Sequence, residues 1–419
     1  MKVGILSQSD YGGGAFIAAN RLHRGLLQAK LDSTMVVGEK KTDAPTVWSS
    51  NSKFYRFCYK AAKAIESLPL RYYSNRKNSL FSLQWVPEFN YSQINSLDFD
   101  LLNLHWINLN FISIENIARL NKPIVWTIHD MWSFTGGCHY SNQCNRFLAS
   151  CGSCPQLDSH KNNDLSHWVW HRKAKAWKKL NLTLVTPSKW LAQRASSSSL
   201  FKEKRITVIP NGIDTKIYQP FLARDDGRKL LNLPQDKKLI LFGANGGVKD
   251  PRKGFHYLLA ALQELIRNGW KDKIELVVFG NSQSTNLPDL DLRIHPLGRL
   301  HDDISIVMAY SLVDVMLVPS TQESFGQTAS EAMACGTPVV AFNATGLKDI
   351  VEHQQTGYLA KPYETEDLAR GIIWVLSDAQ RHHQLRTNAR EKAQREFNLQ
   401  LQANRYQNLF AEVLENSNS

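Results

Sequence analysis

No run of about eighteen consecutive apolar residues occurs in the 419-residue sequence, which argues against a membrane-spanning helix. The opening MKVGILSQSD has only a brief apolar patch before Ser7 and Asp10, too short for the core of a secretory leader. A cytoplasmic chain, soluble or peripheral at the inner membrane face, is the expectation. No internal repeat of solenoid length and no low-complexity tract appears, and the run Ser196–Ser199 reads as a loop. Cysteines number only six, too few to make a disulfide scaffold of a chain this long. Also missing are a GxSxG elbow, a Cys–His pair at recognisable spacing and a DxD-like metal motif at a strand end, so familiar hydrolytic and metal-dependent units are not signalled.

What is present supports a folded protein. Hydrophobic residues make up 43% and aromatics 10%, enough to build cores and to exclude disorder as the main state. A single core rarely grows past about 300 residues, so two domains are expected. Fifty Lys and Arg against 38 Asp and Glu leave a formal charge of +12. That excess suits nucleic acid, an anionic membrane or phosphorylated small molecules, and does not choose among them.

Short apolar runs alternate with helical periodicity from the start. KVGILS (2–7), TMVVG (34–38), 101–105, 124–128, 183–186 and 207–209 read as strands, and Ala15, Ala18, Leu22 and Leu26 form the stripe of a helix over 15–29. After the turn residues Pro210, Asn211 and Gly212 a second series begins, with strands at 239–242, 275–279, 313–318 and 338–342. The fold class expected is α/β with two Rossmann-like domains facing a cleft. The boundaries read as 1–214, with a Cys-rich insertion at 136–157, then 215–378, then closing helices over 379–419 that return to the first domain.

Gly12, Gly13 and Gly14 follow a strand and open a helix, where bare backbone and a helix N-terminus can approach a phosphate. An ordinary tight turn accounts for them equally well. A dinucleotide site is the rival, with Glu39 ending the second strand, but its third glycine would fall where Ile17 stands. The most informative segment is PSTQESFGQTASEAMACGTPVV, 319–340. Ser324 and Gln327 have the form of a capping box and set a helix start near Phe325. The amides of Phe325, Gly326 and Gln327 would then face an anion. Glu323 and Glu331, flanking that start, would repel a phosphate and instead suit the hydroxyls of a sugar or ribose.

The segment ESFGQTASE, followed by AMACGTPVV, resembles the signature of retaining glycosyltransferases of family 4, which have the GT-B architecture. VIPNGIDTKIYQP, PRKGFHYLL and the Gly-rich loop extend the similarity over nearly the whole chain. The resemblance implies a nucleotide diphosphate sugar donor and a glycan or polyprenyl-linked glycan acceptor, as in exopolysaccharide assembly, with no nucleic acid and no catalytic metal. Glu331 would hold the ribose and Glu323 the transferred sugar. Gly13, Gly14, Arg252, Lys253, Ser324, Phe325, Gly326 and Gln327 would bind the donor, and Lys253 its diphosphate. His129, in IHD at a strand end, would stand near the donor sugar, with His105 a weaker candidate. His129, Lys253 and Glu323 form the expected catalytic set. The family's usual arginine is replaced by Gly247, leaving Lys249 or Arg252 to supply its charge, and Lys348-Asp349 replaces the usual Pro-Glu after Gly346.

Two features stand outside that pattern. Cys138, Cys144, Cys151 and Cys154, the last two as C-x-x-C, have the composition of a structural zinc site, with His139 as a substitute ligand. A disulfide pair or free thiols suit the same residues. The run 167–180, HWVWHRKAKAWKKL, places Trp170, Ala174 and Trp177 in a stripe among five cations, compatible either with an anionic bilayer or with a core-facing stripe and a solvated basic face. The alternatives to a transferase are a non-enzymatic nucleic-acid or anionic-glycan binder, which lacks any recognition motif, and an NAD-dependent oxidoreductase.

Overall fold

The computed structural model describes residues 1–49, 64–86, 91–221, 223–243, 250–280 and 290–418. They form two compact units, Met1–Pro210 with Gln402–Ser419, and Asn211–Leu401.

The first unit is built on a parallel sheet of β1 (Lys2–Ser9), β2 (Asp32–Glu39), β3 (Val47–Trp48), β4 (Leu101–Leu104), β5 (Ile124–Thr127), β6 (Leu182–Thr186) and β7 (Arg205–Val208). Their order is β3-β2-β1-β4-β5-β6-β7. The central strands β4, β5 and β6 are buried throughout because a parallel sheet is covered on both faces. Alternate residues feed opposite cores: Leu102, Leu104, Trp126 and Leu184 pack with Trp132, Trp177 and Phe201. Leu101, Val125 and Val185 pack with Leu22 and Leu26 of the helix Gly14–Gln28 and with Tyr406 and Phe410 of the helix Leu399–Asn418.

The second unit has β8 (Lys238–Gly243), β9 (Ile274–Phe279), β10 (Ile294–Gly298), β11 (Val315–Val318), β12 (Val339–Phe342) and β13 (Gly357–Ala360), in parallel order β10-β9-β8-β11-β12-β13. Leu239, Leu241 and Val277 enter one core, Ile240, Phe242 and Val278 the other. The α/β class with two Rossmann-like domains is what the structure has.

Two details correct the sequence reading. The units divide after Pro210, and of the closing helices Ala379–Glu396 belongs to the second unit, its Ala389 and Ala393 buried against the helix Gln327–Ala334 side of that core. Only the stretch from Gln402 onward joins the first unit. The edge strands β3, β10 and β13 escape the sequence because β3 has only two residues, β10 carries Pro296 and is only half-buried, and β13 opens on Gly357 with its middle residues half-buried.

Each sheet reverses its winding at one point, between β1 and β4 in the first unit and between β8 and β11 in the second. The carboxyl ends of strands at such points are where open α/β sheets bind ligands.

The first unit also holds a pH-sensitive element away from that edge. His23 is buried on the helix Gly14–Gln28, with Nδ1 against Ser33 Oγ and Nε2 against Thr46 Oγ1, both at 2.8 Å. Burial lowers its pKa from 6.5 to about 4. The unfolded chain therefore binds a proton below pH 6.5 that the folded chain refuses, so stability is lost as pH falls from about 6.5 toward 4, by about 2 kcal/mol at pH 5 from this group. Denaturant melts at pH 7.5 and pH 5 should show a shallower pH dependence in His23→Gln than in the natural protein; equal dependence would contradict the assignment.

Candidate active site

In the second unit the chain leaving β8 and the chain leaving β11 are brought together by a tight turn. Asp250 caps the short 3-10 helix Pro251–Lys253, accepting from the Arg252 amide at 3.0 Å and pairing with Arg252 Nη2 at 2.5 Å. Gly254 then takes φ +72°, and a Cβ there would lie 1.9 Å from the Pro319 carbonyl oxygen, so only glycine lets the turn lie against the end of β11. The Thr321 amide donates to Arg252 O at 2.8 Å.

This docking delivers Lys253 Nζ to Glu323 Oε1 at 2.5 Å, where Ser320 Oγ also donates at 3.1 Å. Glu323 is 9% exposed. Burial acts to raise its pKa, but the Lys253 ammonium, helped by Arg252 and Ser320, outweighs burial and keeps the carboxyl below its ordinary value. Two residues assigned by resemblance to different parts of a donor are thus partners of each other. Gly247 and Lys249 lie outside the described residues.

The expected capping box does not form. The helix begins at Gln327, with Gly326 as its N-cap at φ +111° and no side-chain cap. The reason is the neighbouring loop: Gly346 N donates to Glu323 O at 2.9 Å, Thr345 Oγ1 accepts from the Glu323 amide at 3.1 Å, and a Cβ on Gly346 would lie 2.6 Å from Ser324 O. Residues 323–325 are pinned there, so Gly326 must make the turn. The amides of Ala329 and Ser330 both reach Gly326 O, and those before them have no acceptor within the helix. Phe325 is a core residue, edge-on to Phe397 at 5.6 Å, so only its backbone is available to a ligand. Glu331 lies in the same helix, 7% exposed, and its Oε2 accepts from Tyr310 Oη at 2.9 Å. Burial and this carboxylate push the Tyr310 phenol well up, so it stays a donor. Sequence reasoning missed Tyr310, which ends the run IVMAY and reads as a core residue.

In the first unit, the ends of the adjacent strands β1, β4 and β5 carry the Gly-rich turn, His105 and His129. Gly12 has φ +119° and Gly13 is the N-cap of the helix Gly14–Gln28, with no side-chain cap. Phe16 of that helix meets Trp106 edge-on at 5.3 Å. His105 Nδ1 and His129 Nε2 are 2.9 Å apart. Burial lowers His129 to about 4 and holds His105 well below the ordinary histidine value. Asp130 accepts from Trp106 Nε1 at 2.8 Å, from the Trp132 amide at 2.8 Å and from His139 Nδ1 at 2.7 Å.

The other ring nitrogen of His139 meets Ser82 Oγ at 2.9 Å, which removes His139 as a substitute metal ligand. Cys138, Cys144, Cys151 and Cys154 are free thiols, and burial raises Cys138 and Cys151, the latter to about 12. Among the described residues no group of three or more His, Cys, Asp or Glu could hold a metal ion.

Of the two readings of the basic run the structure has the core-facing stripe, with Lys175, Lys178 and Lys179 exposed and Lys173 the departure. Its helix, Leu165–Trp177, buries Val169, Lys173 and Trp177. Lys173 Nζ donates to Trp132 O and to Thr135 O and sits 3.6 Å from the Trp132 ring. Arg172 pairs with Glu115 and donates to Leu83 O at 2.8 Å and Gln84 O at 3.0 Å. Two of the five cations therefore bind the protein itself, and the helix clamps the loop that follows His129. Among the described residues no helix is long and apolar enough to cross a membrane.

Residues 12–217 match the family described as Glycosyltransferase Family 4, and residues 223–392 match Glycosyl transferases group 1. The chain belongs to the family 4-like glycosyltransferases of GT-B fold. This glycosyltransferase is similar to an uncharacterized glycosyltransferase of Methanocaldococcus jannaschii, 28% identical over 292 residues and 67% of each chain. It is also similar to a putative colanic acid biosynthesis glycosyl transferase of Escherichia coli, 25% identical over 267 residues, 61% of this chain and 62% of the other. It spans about half the length of several D-inositol 3-phosphate glycosyltransferases that it matches. Anabaena HepE, in a crystal structure with UDP and glucose, shares the fold, with a TM-score of 0.62 at 17% identity, covering 98% of this chain and 99% of that one. The oxidoreductase and polymer-binding alternatives fall away.

Gly254 gives the site a direct structural test. Gly254→Ala forces Cβ onto the Pro319 carbonyl and a left-handed backbone on alanine, a cost of about 1–3 kcal/mol. Thermal melting of this glycosyltransferase should drop by several degrees, and an unchanged melt would show that the turn does not lie on β11.

Proposed function

We propose that the protein transfers a hexosyl group, with retention of anomeric configuration, from a nucleotide diphosphate sugar to a glycan or polyprenyl-linked glycan acceptor in cell-surface polysaccharide assembly. The observation that carries this reading is the Lys253–Glu323 ion pair at the β8/β11 switch point, beside the Tyr310-held carboxylate of Glu331. Lys253 is the cation that a diphosphate would recruit. Once its ammonium turns to phosphate, Glu323 is free to accept from hydroxyls of the transferred sugar, while Glu331 accepts from the ribose. A cation that trades one anion for another keeps both states compensated.

In the proposed step the bond between the anomeric carbon and the diphosphate oxygen breaks as the acceptor oxygen bonds to that carbon from the same face. The departing diphosphate takes the acceptor's proton. Protein groups act by positioning and by stabilising the developing charge, a load that falls on Lys253 and the amides around Gly326. The UDP in HepE and the colanic acid relative support the donor class and the pathway class. Nucleotide sugars are made in the cytoplasm, where the reaction would run.

Lys253→Ala and Glu331→Ala should each lower turnover by about a hundredfold or more in a screen of UDP- and GDP-sugars, with far-UV circular dichroism unchanged. Near-natural turnover in either folded variant would remove the site assignment, and an inverted product anomer in the proton NMR spectrum would remove retention.

A further inference from the structure

His129 ends a chain of hydrogen bonds whose directions are set from Asn103 outward. Asn103, fully buried on β4, approaches Val125 O at 2.9 Å and Thr127 Oγ1 at 3.1 Å through Nδ2. A carbonyl oxygen can only accept, so the amide nitrogen must face Val125 and Oδ1 must face His105 Nε2, at 2.8 Å. His105 Nε2 therefore carries a proton. His105 is 3% exposed and neutral, so its Nδ1 has none to give and accepts from His129 Nε2. The ring centroids, 5.1 Å apart at 27°, put the two nitrogens in line. Thr127 Oγ1 also lies 2.9 Å from Tyr406 Oη, where either hydroxyl can donate. Asp130, the carboxylate whose charge acts on His129, has both oxygens engaged by Trp106, Trp132 and His139.

We infer that Asn103 and His105 are positioning residues that hold His129 in the tautomer protonated on Nε2, presenting Nδ1 at the β5 edge as an acceptor for a substrate hydroxyl and not as a donor to a phosphate. The identity of that hydroxyl, on a sugar, rests on the transferase reading; the tautomer does not. His129 is half-buried, and among the described residues no group is bonded to its Nδ1. The assignment follows from the partners of each nitrogen, as tautomers must.

The test is a two-bond proton–nitrogen NMR correlation on the full chain labelled with 15N-histidine, with His129 assigned by the peak lost in His129→Asn. The expected spectrum shows a proton on Nε2 and a bare Nδ1, unchanged from pH 8 to 5.5. A proton on Nδ1, or an imidazolium at pH 6, overturns the inference. His105→Phe should convert His129 to a tautomer mixture and lower kcat/KM by about tenfold, the worth of one hydrogen bond; a single Nε2-protonated form in that variant also overturns it. Should His105→Phe fail to fold, the spectrum of the natural protein decides. A protein inactive on every nucleotide sugar, yet with the expected tautomer, would instead defeat the transferase reading alone.

Discussion

The arrangement of the second unit turns on one ion pair. Glu323 is nearly buried, and a carboxylate so placed costs several kcal/mol unless a cation meets it. Lys253 supplies that cation only because Gly254 allows the turn after β8 to rest on the end of β11. The loop 344–346 pins Glu323 from the other side and forces the helix start to Gly326. Lysine position, glutamate ionisation and the helix start at Gly326 are thus consequences of one contact and its supports.

The first unit solves a different problem with neutral groups. Its β1, β4 and β5 edge bears two histidines that burial keeps uncharged, and a buried asparagine sets their protons. A charged edge would favour phosphate; a neutral acceptor favours hydroxyl. The contrast divides the excess of positive charge in a way the total of +12 conceals. Lys253 and Arg252 stand at the anion-compatible edge, whereas Arg172 and Lys173 are spent on Glu115 and on backbone carbonyls.

Much of the fold was legible because fully buried parallel strands are continuous apolar runs, and because PRKG and ESFGQTASE are contiguous motifs. The helix start was misplaced because Ser324-x-x-Gln327 satisfies a local rule that the contact with Thr345 and Gly346 overrides. Within the basic helix only Lys173 was misplaced, because lysine normally faces water and nothing in HWVWHRKAKAWKKL announces that it reaches the Trp132 and Thr135 carbonyls. Tyr310 and Asn103 were invisible for a related reason. Each is a polar group inside an apolar run, and the partner that decides its role lies 21 or 22 positions away.

The central claim is that Lys253 exchanges Glu323 for the diphosphate of the donor. Calorimetric titration of UDP and GDP into the natural protein and into Glu323→Gln tests it directly. Removing the competing carboxylate should tighten binding of the preferred nucleoside diphosphate even as sugar transfer is lost. Unchanged or weaker binding in a folded Glu323→Gln protein would contradict the account.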